Sequence, residues 1–242
     1  MKADVLLAEI GSTTTLINAF CGIRSGEPKF IGQGQAPTSV LEGDVRIGLN
    51  GAIEDLKANL GADKIEYGEM LATSSAAGGL RMCVHGLVYD MTVKAAEAAA
   101  LGAGAIVTMA TAGKLSEYDI EDLKEAKPNL ILLAGGTDYG EKETALFNAR
   151  MIAASGVKAP VIYAGNVQNK RAVEDIFQKA GISCTVTENV YPKLDKLNIE
   201  PARKIIHQVF EEHIIKAPGM EHIRDMVTGH IMPTPGAVME AV

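Results

Sequence analysis

Glu9-Ile10-Gly11-Ser12-Thr13-Thr14-Thr15 gathers an acid, a glycine and four hydroxyl side chains into seven consecutive residues. Gly11 allows a backbone to approach a ligand closely, and a turn with several hydroxyls and free amides donates well to phosphate oxygens. An acid just before such a turn can hold a metal-bound water. The flanking runs, Val5 to Ile10 and Leu16 to Ile23, are apolar and β-branched, so the segment reads as strand, tight turn, strand. A plain hairpin of strand-forming residues carries the same pattern. Two commoner phosphate signatures are missing from the sequence: no G-x-G-x-x-G, and no G-x-x-x-x-G-K-[ST] opening a helix.

A second constellation is Gly135-Gly136-Thr137-Asp138, with Gly165-Asn166 after the next expected strand and Thr111 to Gly113 after the preceding one. In an open parallel sheet, ligands sit outside the carboxyl ends of the strands, so these glycine-bearing ends can share one crevice. Ordinary turns between strand and helix use the same glycines. Asp138, Glu141 and Glu143 crowd one helix entrance, and two unit charges ~6 Å apart at an effective dielectric of ~20 repel by roughly 3 kcal/mol. A hydroxylated ligand or a partner's cation therefore suits the place better than a phosphate. His207 and Glu211 are four apart on an expected helix, as metal ligands can be, but no third ligand accompanies them and a solvated face explains them. Ser74 to Gly79 is a small-residue loop that can pack close to a ligand, and Arg81 beyond it can reach an anion, although a surface salt bridge is the commoner use of such a residue.

The elements that must position these residues fall into three stretches. Residues 1–65 read as a β-meander, whose third strand at Phe30-Ile31 ends at Gly32, Gly34 and Pro37, followed by a helix from Asp44 to Gly61 with Val45, Leu49, Ala52, Ile53, Leu56 and Leu60 on one face. Residues 66–192 alternate short apolar strands with helices: helix 92–101, strand 105–109, helix from Ser116, strand 130–134, helix 142–154, strand 161–164, helix 170–180, strand 184–187. That alternation implies a doubly wound parallel α/β layer with right-handed crossovers. Residues 193–242 read as helical, with an apolar stripe through Ile205 to Ile214, a break at Pro218-Gly219, a short helix at 223–227, a turn at Pro233 to Gly236, and a last helix opening at Ala237 to Val242.

The string AEIGSTTTLINAF resembles the first phosphate-binding hairpin of the actin-like ATPase superfamily. LATSSAAGGLRMCVHGLV, EAAALGAGA, ILLAGGTDYG, VIYAGN and TGHIMPTPGAV are, in combination, similar to the glutamate mutase accessory protein family, also labelled MutL-like. The resemblance spans the chain. It implies an accessory protein of reactivating-chaperone type for an adenosylcobalamin-dependent mutase, using ATP or ADP with Mg at Glu9, Gly11, Ser12, Thr13 and Thr14. Glu9 stands where the superfamily has an aspartate. The resemblance also implies a longer family member, in which residues 193–242 complete a first lobe and the second phosphate loop and adenosine-binding glycines follow. No direct cobalamin ligation is expected, because the D-x-H-x-x-G string is absent and neither His85 nor His230 has its context.

Composition bounds the partners. Lys plus Arg total 23 against 30 Asp plus Glu, a net charge of −7, which lacks the basic excess of a nucleic-acid binder. No apolar run is long enough to cross a bilayer, and no signal-peptide pattern follows Met1. Cys21, Cys83 and Cys184 are far apart with no C-x-x-C, so neither a disulfide framework nor a zinc site is expected, and the reducing cytoplasm is the expected compartment. Expected partners are mutase subunits; homo-oligomerisation is left open.

Overall fold

The structure, a computed structural model, describes residues 1–39, 42–76, 79–215 and 220–240. Contacts divide the chain into two units, Met1–Gly79 with Val209–Val242, and Leu80–Gln208.

The first unit opens with β1 (Lys2–Ile10), β2 (Thr14–Cys21) and β3 (Lys29–Pro37), an antiparallel meander. Leu6, Ala8 and Ile10 alternate inward on β1 and Ile17 and Ala19 do so on β2, all fully buried, as period-two patterning dictates. β3 does not stop at the glycines. It runs through Gly32 and Gly34 to Pro37 because helix α1 (Val45–Leu60) lies directly against them. A Cβ on Gly34 would stand 2.1 Å from the Ala52 carbonyl oxygen and 2.3 Å from the Leu56 nitrogen. The glycines that look like strand breakers are clearance for the helix, Gly34 for its backbone and Gly32 for the Leu60 side chain.

α1 begins and ends where its sequence says. The Asp44 carboxylate accepts from Arg46 N at 3.0 Å and Gly61 closes the helix in the left-handed region, its N–H reaching the last carbonyls. Hydrogen bonds from Arg46 hold the Asp44 carboxyl down at about 2. Val45, Leu49, Ala52 and Leu56 form its buried stripe. β4 (Glu66–Ser74) then pairs parallel to β1 from Lys2↔Glu66 to Ile10↔Ser74. The expected seam at residue 65 is thus corrected: ladder hydrogen bonds tie β4 to the meander's sheet, not to the α/β layer.

In the second unit, β5 (Arg81–Gly86), β6 (Ile106–Ala112), β7 (Leu130–Leu133), β8 (Val161–Tyr163) and β9 (Cys184–Val186) form an all-parallel sheet of order β6-β5-β7-β8-β9. A π-helical turn at Tyr89–Val93 leads into α2 (Lys94–Gly102); α3 (Glu117–Ala126), α4 (Glu143–Ala154), α5 (Lys170–Lys179) and α6 (Glu200–Ile215) follow. Ser116 and Asp119 form a reciprocal capping box at α3. Cys83, Ile131, Leu133, Val161 and Tyr163 face Leu123, Ile152 and Phe177 in one buried cluster. This is the expected doubly wound layer, with one addition: β5, an interior strand between β6 and β7, has no counterpart among the expected strands.

The chain re-enters the first unit at Val209, within α6, and continues there with α7 (Met220–Ile223), β10 (Ile231–Pro233) and α8 (Thr234–Glu240). β10 adds parallel to β4, Ile231↔Ala72 through Pro233↔Ser74, giving the order β10-β4-β1-β2-β3. The expected turn at Pro233 to Gly236 is instead a strand end running straight into α8, since proline is well accommodated in a first helical turn. The expected short helix at 223–227 lies earlier, over Met220–Ile223. The final segment is therefore not purely helical. Pro218-Gly219 and Ala241-Val242 lie outside the described residues.

Candidate functional site

The β1–β2 hairpin is tight. Gly11 N donates to Thr14 O at 3.0 Å, and a Cβ on Gly11 would stand 2.6 Å from that same oxygen, so only glycine fits. Neighbouring segments clamp the hairpin from both sides. Thr38 N donates to Thr13 O at 2.8 Å and Thr15 Oγ1 pairs with Thr38 Oγ1 at 2.8 Å on the β3 side; Ser75 N donates to Ile10 O at 2.9 Å on the β4 side. Ser12, Thr13 and Thr14 remain exposed, and among the described residues the Ser12 and Thr13 amides donate to nothing. The result is a rigid arch with unspent donors, the requirement for gripping an anion without reorganisation.

Parallel pairing carries β1, β4 and β10 out at one edge, with Ile10, Ser74 and Pro233 in one row and Glu9, Thr73 and Met232 in the next. Glu9 is half-buried and lies on the face opposite Ala8 and Ile10. The small-residue loop at Ser74 to Gly79 therefore begins beside the hairpin, with Ser74 Oγ donating to Ile10 O at 3.3 Å and accepting from Ala76 N at 3.2 Å; Ala77 and Gly78 lie outside the described residues. Thr234, the first residue beyond β10 at this edge, carries a buried hydroxyl without a partner. Sequence reasoning did not single out Thr38 or Thr234 as site residues. Only the β4 and β10 pairings bring Thr234 near the hairpin, and those pairings are long-range.

Of the second constellation, Gly135 to Asp138 and Gly165-Asn166 lie at the neighbouring ends of β7 and β8, whereas β5 stands between β7 and Thr111 to Gly113 at the end of β6; the polar groups at the β7 and β8 ends are spent on the fold. Asn166, fully buried, accepts from Tyr139 N at 3.2 Å and Gln168 N at 3.0 Å, and donates to Gly140 O at 3.2 Å and Glu141 O at 3.1 Å. Asp138 Oδ1 accepts from Val167 N and from Asn189 Nδ2, each at 3.0 Å. Glu141 caps Thr144 N at 2.8 Å. The two carboxylates thus turn to separate amides, which answers the like-charge crowding expected there. Gly136 has φ +70° and Gly165 packs where a Cβ would stand 2.9 Å from Gly135 O; Thr137 O accepts from Gly140 N at 3.0 Å. Tyr163 donates to Asn166 O at 3.0 Å, and burial pushes its phenol well above the ordinary value. A hollow of about 330 Å³ lies beyond, bordered by Asp138, Lys170, Glu188 and Asn189.

The histidines and Arg81 carry no such constellation. His85 is fully buried, with Nδ1 2.7 Å from Thr111 Oγ1 and Nε2 unpartnered, and burial holds its pKa down at about 4. The side chain of Glu211, the proposed mate of His207, lies outside the described residues. Among the described residues no three His, Cys, Asp or Glu side chains are grouped to hold a metal, and no helix is long and apolar enough to cross a membrane. Arg81 makes no salt bridge among the described residues; its Nη2 and Nε donate to Lys127 O at 3.1 and 3.3 Å.

An antiparallel meander extended by parallel β4 and β10, with a glycine-tight hairpin between β1 and β2, and an all-parallel five-stranded sheet in the second unit define a mixed α/β protein. Residues 5–242 match the family described as MutL protein, and the chain belongs to that family. "Protein MutL" of Clostridium tetanomorphum is 43% identical over 236 residues, covering 98% of this chain and 50% of the relative. The chain thus spans about half the length of that curated relative. Among solved structures, the Acidaminococcus fermentans (R)-2-hydroxyglutaryl-CoA dehydratase component A is 12% identical, covers 75% of this chain and 90% of its own, with a TM-score of 0.22. The Clostridium difficile activator of 2-hydroxyisocaproyl-CoA dehydratase, with bound ADPNP, is 11% identical over 93% and 98% of the two chains, TM-score 0.22.

Proposed function

We propose that this chain forms the first half of a nucleotide-dependent accessory protein, of reactivating-chaperone type, serving an adenosylcobalamin-dependent mutase of the glutamate mutase kind. The observation that carries the reading is the hairpin: unspent Ser12 and Thr13 amides and the exposed Ser12, Thr13 and Thr14 hydroxyls on a clamped arch. These donors fit phosphate oxygens. A bound nucleotide with Mg supplies the energy of an anhydride bond; the hairpin's task is to orient its phosphates, and Glu9's is to hold a metal-bound water at the edge of the sheet. The second phosphate loop and the adenosine pocket belong, in this reading, to the remainder of the longer relative.

Isothermal titration with Mg-ADP tests it. Tight binding is expected for the full-length relative and weak binding for this chain, with Gly11→Val abolishing both because its side chain collides with Thr14 O. No binding by the full-length relative overturns the reading.

A second reading, a protein-interaction module without catalysis, is favoured by the self-satisfied loops around Asp138 and Asn166, whose polar side chains are occupied within the fold. It fails if Thr13→Ala combined with Gly11→Val abolishes mutase reactivation while the protein stays folded.

A further inference from the structure

At the amino edge of the second unit's sheet, two helix-to-strand connections lie side by side. α3 ends at Lys127, held in the left-handed region at φ 44°, before Pro128; α4 ends at Ser155 and Gly156, φ 84°, before Val157 to Pro160. Between them runs a groove of about 600 Å³. Its floor is aliphatic, formed by Pro128, Val157 and Pro160, and its rim is cationic, formed by Lys124, Lys127 and Lys158. No aspartate or glutamate lines it. Arg81 adds a fourth cation, its guanidinium anchored on Lys127 O.

None of these four cations makes a salt bridge among the described residues. In a chain of net charge −7, an all-cationic rim runs against the average. Lys124, in the last turn of α3, complements that helix's dipole. Lys158 and Arg81 reach helix ends from outside: Lys158 Nζ donates to Ala180 O, just past α5, at 3.5 Å and Arg81 to Lys127 O, just past α3, which positions both cations while leaving them without a carboxylate among the described residues. Clustered positive charge around an apolar floor is the complement of an acidic, partly apolar ligand.

We propose that this groove docks an acidic polypeptide segment of a partner protein, its carboxylates on the lysine rim and an aliphatic side chain on the proline floor. Nucleic acid is the poorer fit, because no aromatic side chain lines the groove to stack a base. The nucleotide hairpin takes no part, so a failed ADP titration leaves this inference standing.

Fluorescence anisotropy of the 242-residue chain with a labelled peptide of alternating glutamate and leucine is the test. Binding is expected at low ionic strength, weakening as salt screens the exposed rim. Combined Lys124→Glu, Lys127→Glu and Lys158→Glu is expected to weaken it by about 10-fold or more, whereas the three Lys→Arg changes retain it. Serine in place of leucine in the peptide is expected to weaken it by about 5-fold through the lost aliphatic contact. Far-UV circular dichroism checks that the reversal variant is folded, and Lys158→Gln, on its exposed loop, provides a milder second variant. Peptide binding indifferent to these lysines, no binding at low salt, or equal affinity for an oligothymidylate of the same charge overturns the proposal.

Discussion

Lowering the pH should destabilise this protein through His85 before any carboxylate is touched. The imidazole is fully buried on β5, Nδ1 on Thr111 Oγ1 and Nε2 on nothing, and its burial depresses the pKa from 6.5 to about 4. The folded chain therefore holds His85 neutral where the unfolded chain protonates it. Above about pH 6.5 both states are neutral and the residue adds no pH dependence; below it the unfolded state binds the extra proton and stability falls with pH. At about 1.4 kcal/mol per unit, the loss is roughly 2 kcal/mol by pH 5 and about 3 kcal/mol by pH 4, where the folded protein begins to titrate too. Carboxylates with lowered pKa values, Asp44 and Asp119, act only further down. Urea unfolding across this range at fixed ionic strength, for the native chain and for His85→Gln, measures the term as a difference. The gap between the two should move in the variant's favour by about 2 kcal/mol between neutral pH and pH 5. A difference that stays flat within about 0.5 kcal/mol refutes the buried neutral imidazole.

Three further outcomes follow from the packing. Gly34→Ala should cost about 3 kcal/mol or more in thermal unfolding, since its Cβ would stand 2.1 Å from Ala52 O and 2.3 Å from Leu56 N, both backbone atoms of α1 that cannot turn aside. Asn166→Ala should cost about 3–5 kcal/mol in urea unfolding by orphaning two amides and two carbonyls, and Asn166→Asp should not rescue it because a carboxylate would face Gly140 O and Glu141 O. Ser116→Ala should cost about 1 kcal/mol, removing the acceptor for Asp119 N, with the loss read as earlier fraying of α3 in hydrogen exchange.

Local chemistry was legible in the sequence, and long-range pairing was not. α1 could be bounded from Asp44 to Gly61 because cap, stripe and stop are all encoded within the helix. The capping box at Ser116 and the strand–helix alternation after it are equally local. β5 escaped notice because a central parallel strand is buried on both faces, so Met82, Cys83, Val84 and His85 show no alternation. β3 was cut short because Gly32 and Gly34 look like breakers until a helix lies over them. The hairpin residues were found from Gly11 and its hydroxyl neighbours, whereas Thr38, Ser75 and Thr234 join them only through pairings that span the chain. For the second constellation, the unexpected β5 separates Thr111 to Gly113 from the β7 and β8 ends, and residue type alone did not reveal that Asp138 and Asn166 are committed to backbone amides and carbonyls.

The pairing of β10 with β4, with residues 75–230 intervening, dictates an order of events during synthesis. β4 emerges from the ribosome early and stays an open parallel edge until Ile231 to Pro233 arrive, and an open edge is a template for wrong partners. Residues 80–208 carry their own core and can fold meanwhile, shortening the floppy chain that must close and lowering its entropic cost. A ribosome pausing before residue 231 would thus hold the nascent protein with residues 80–208 folded and β4 still lacking its β10 partner.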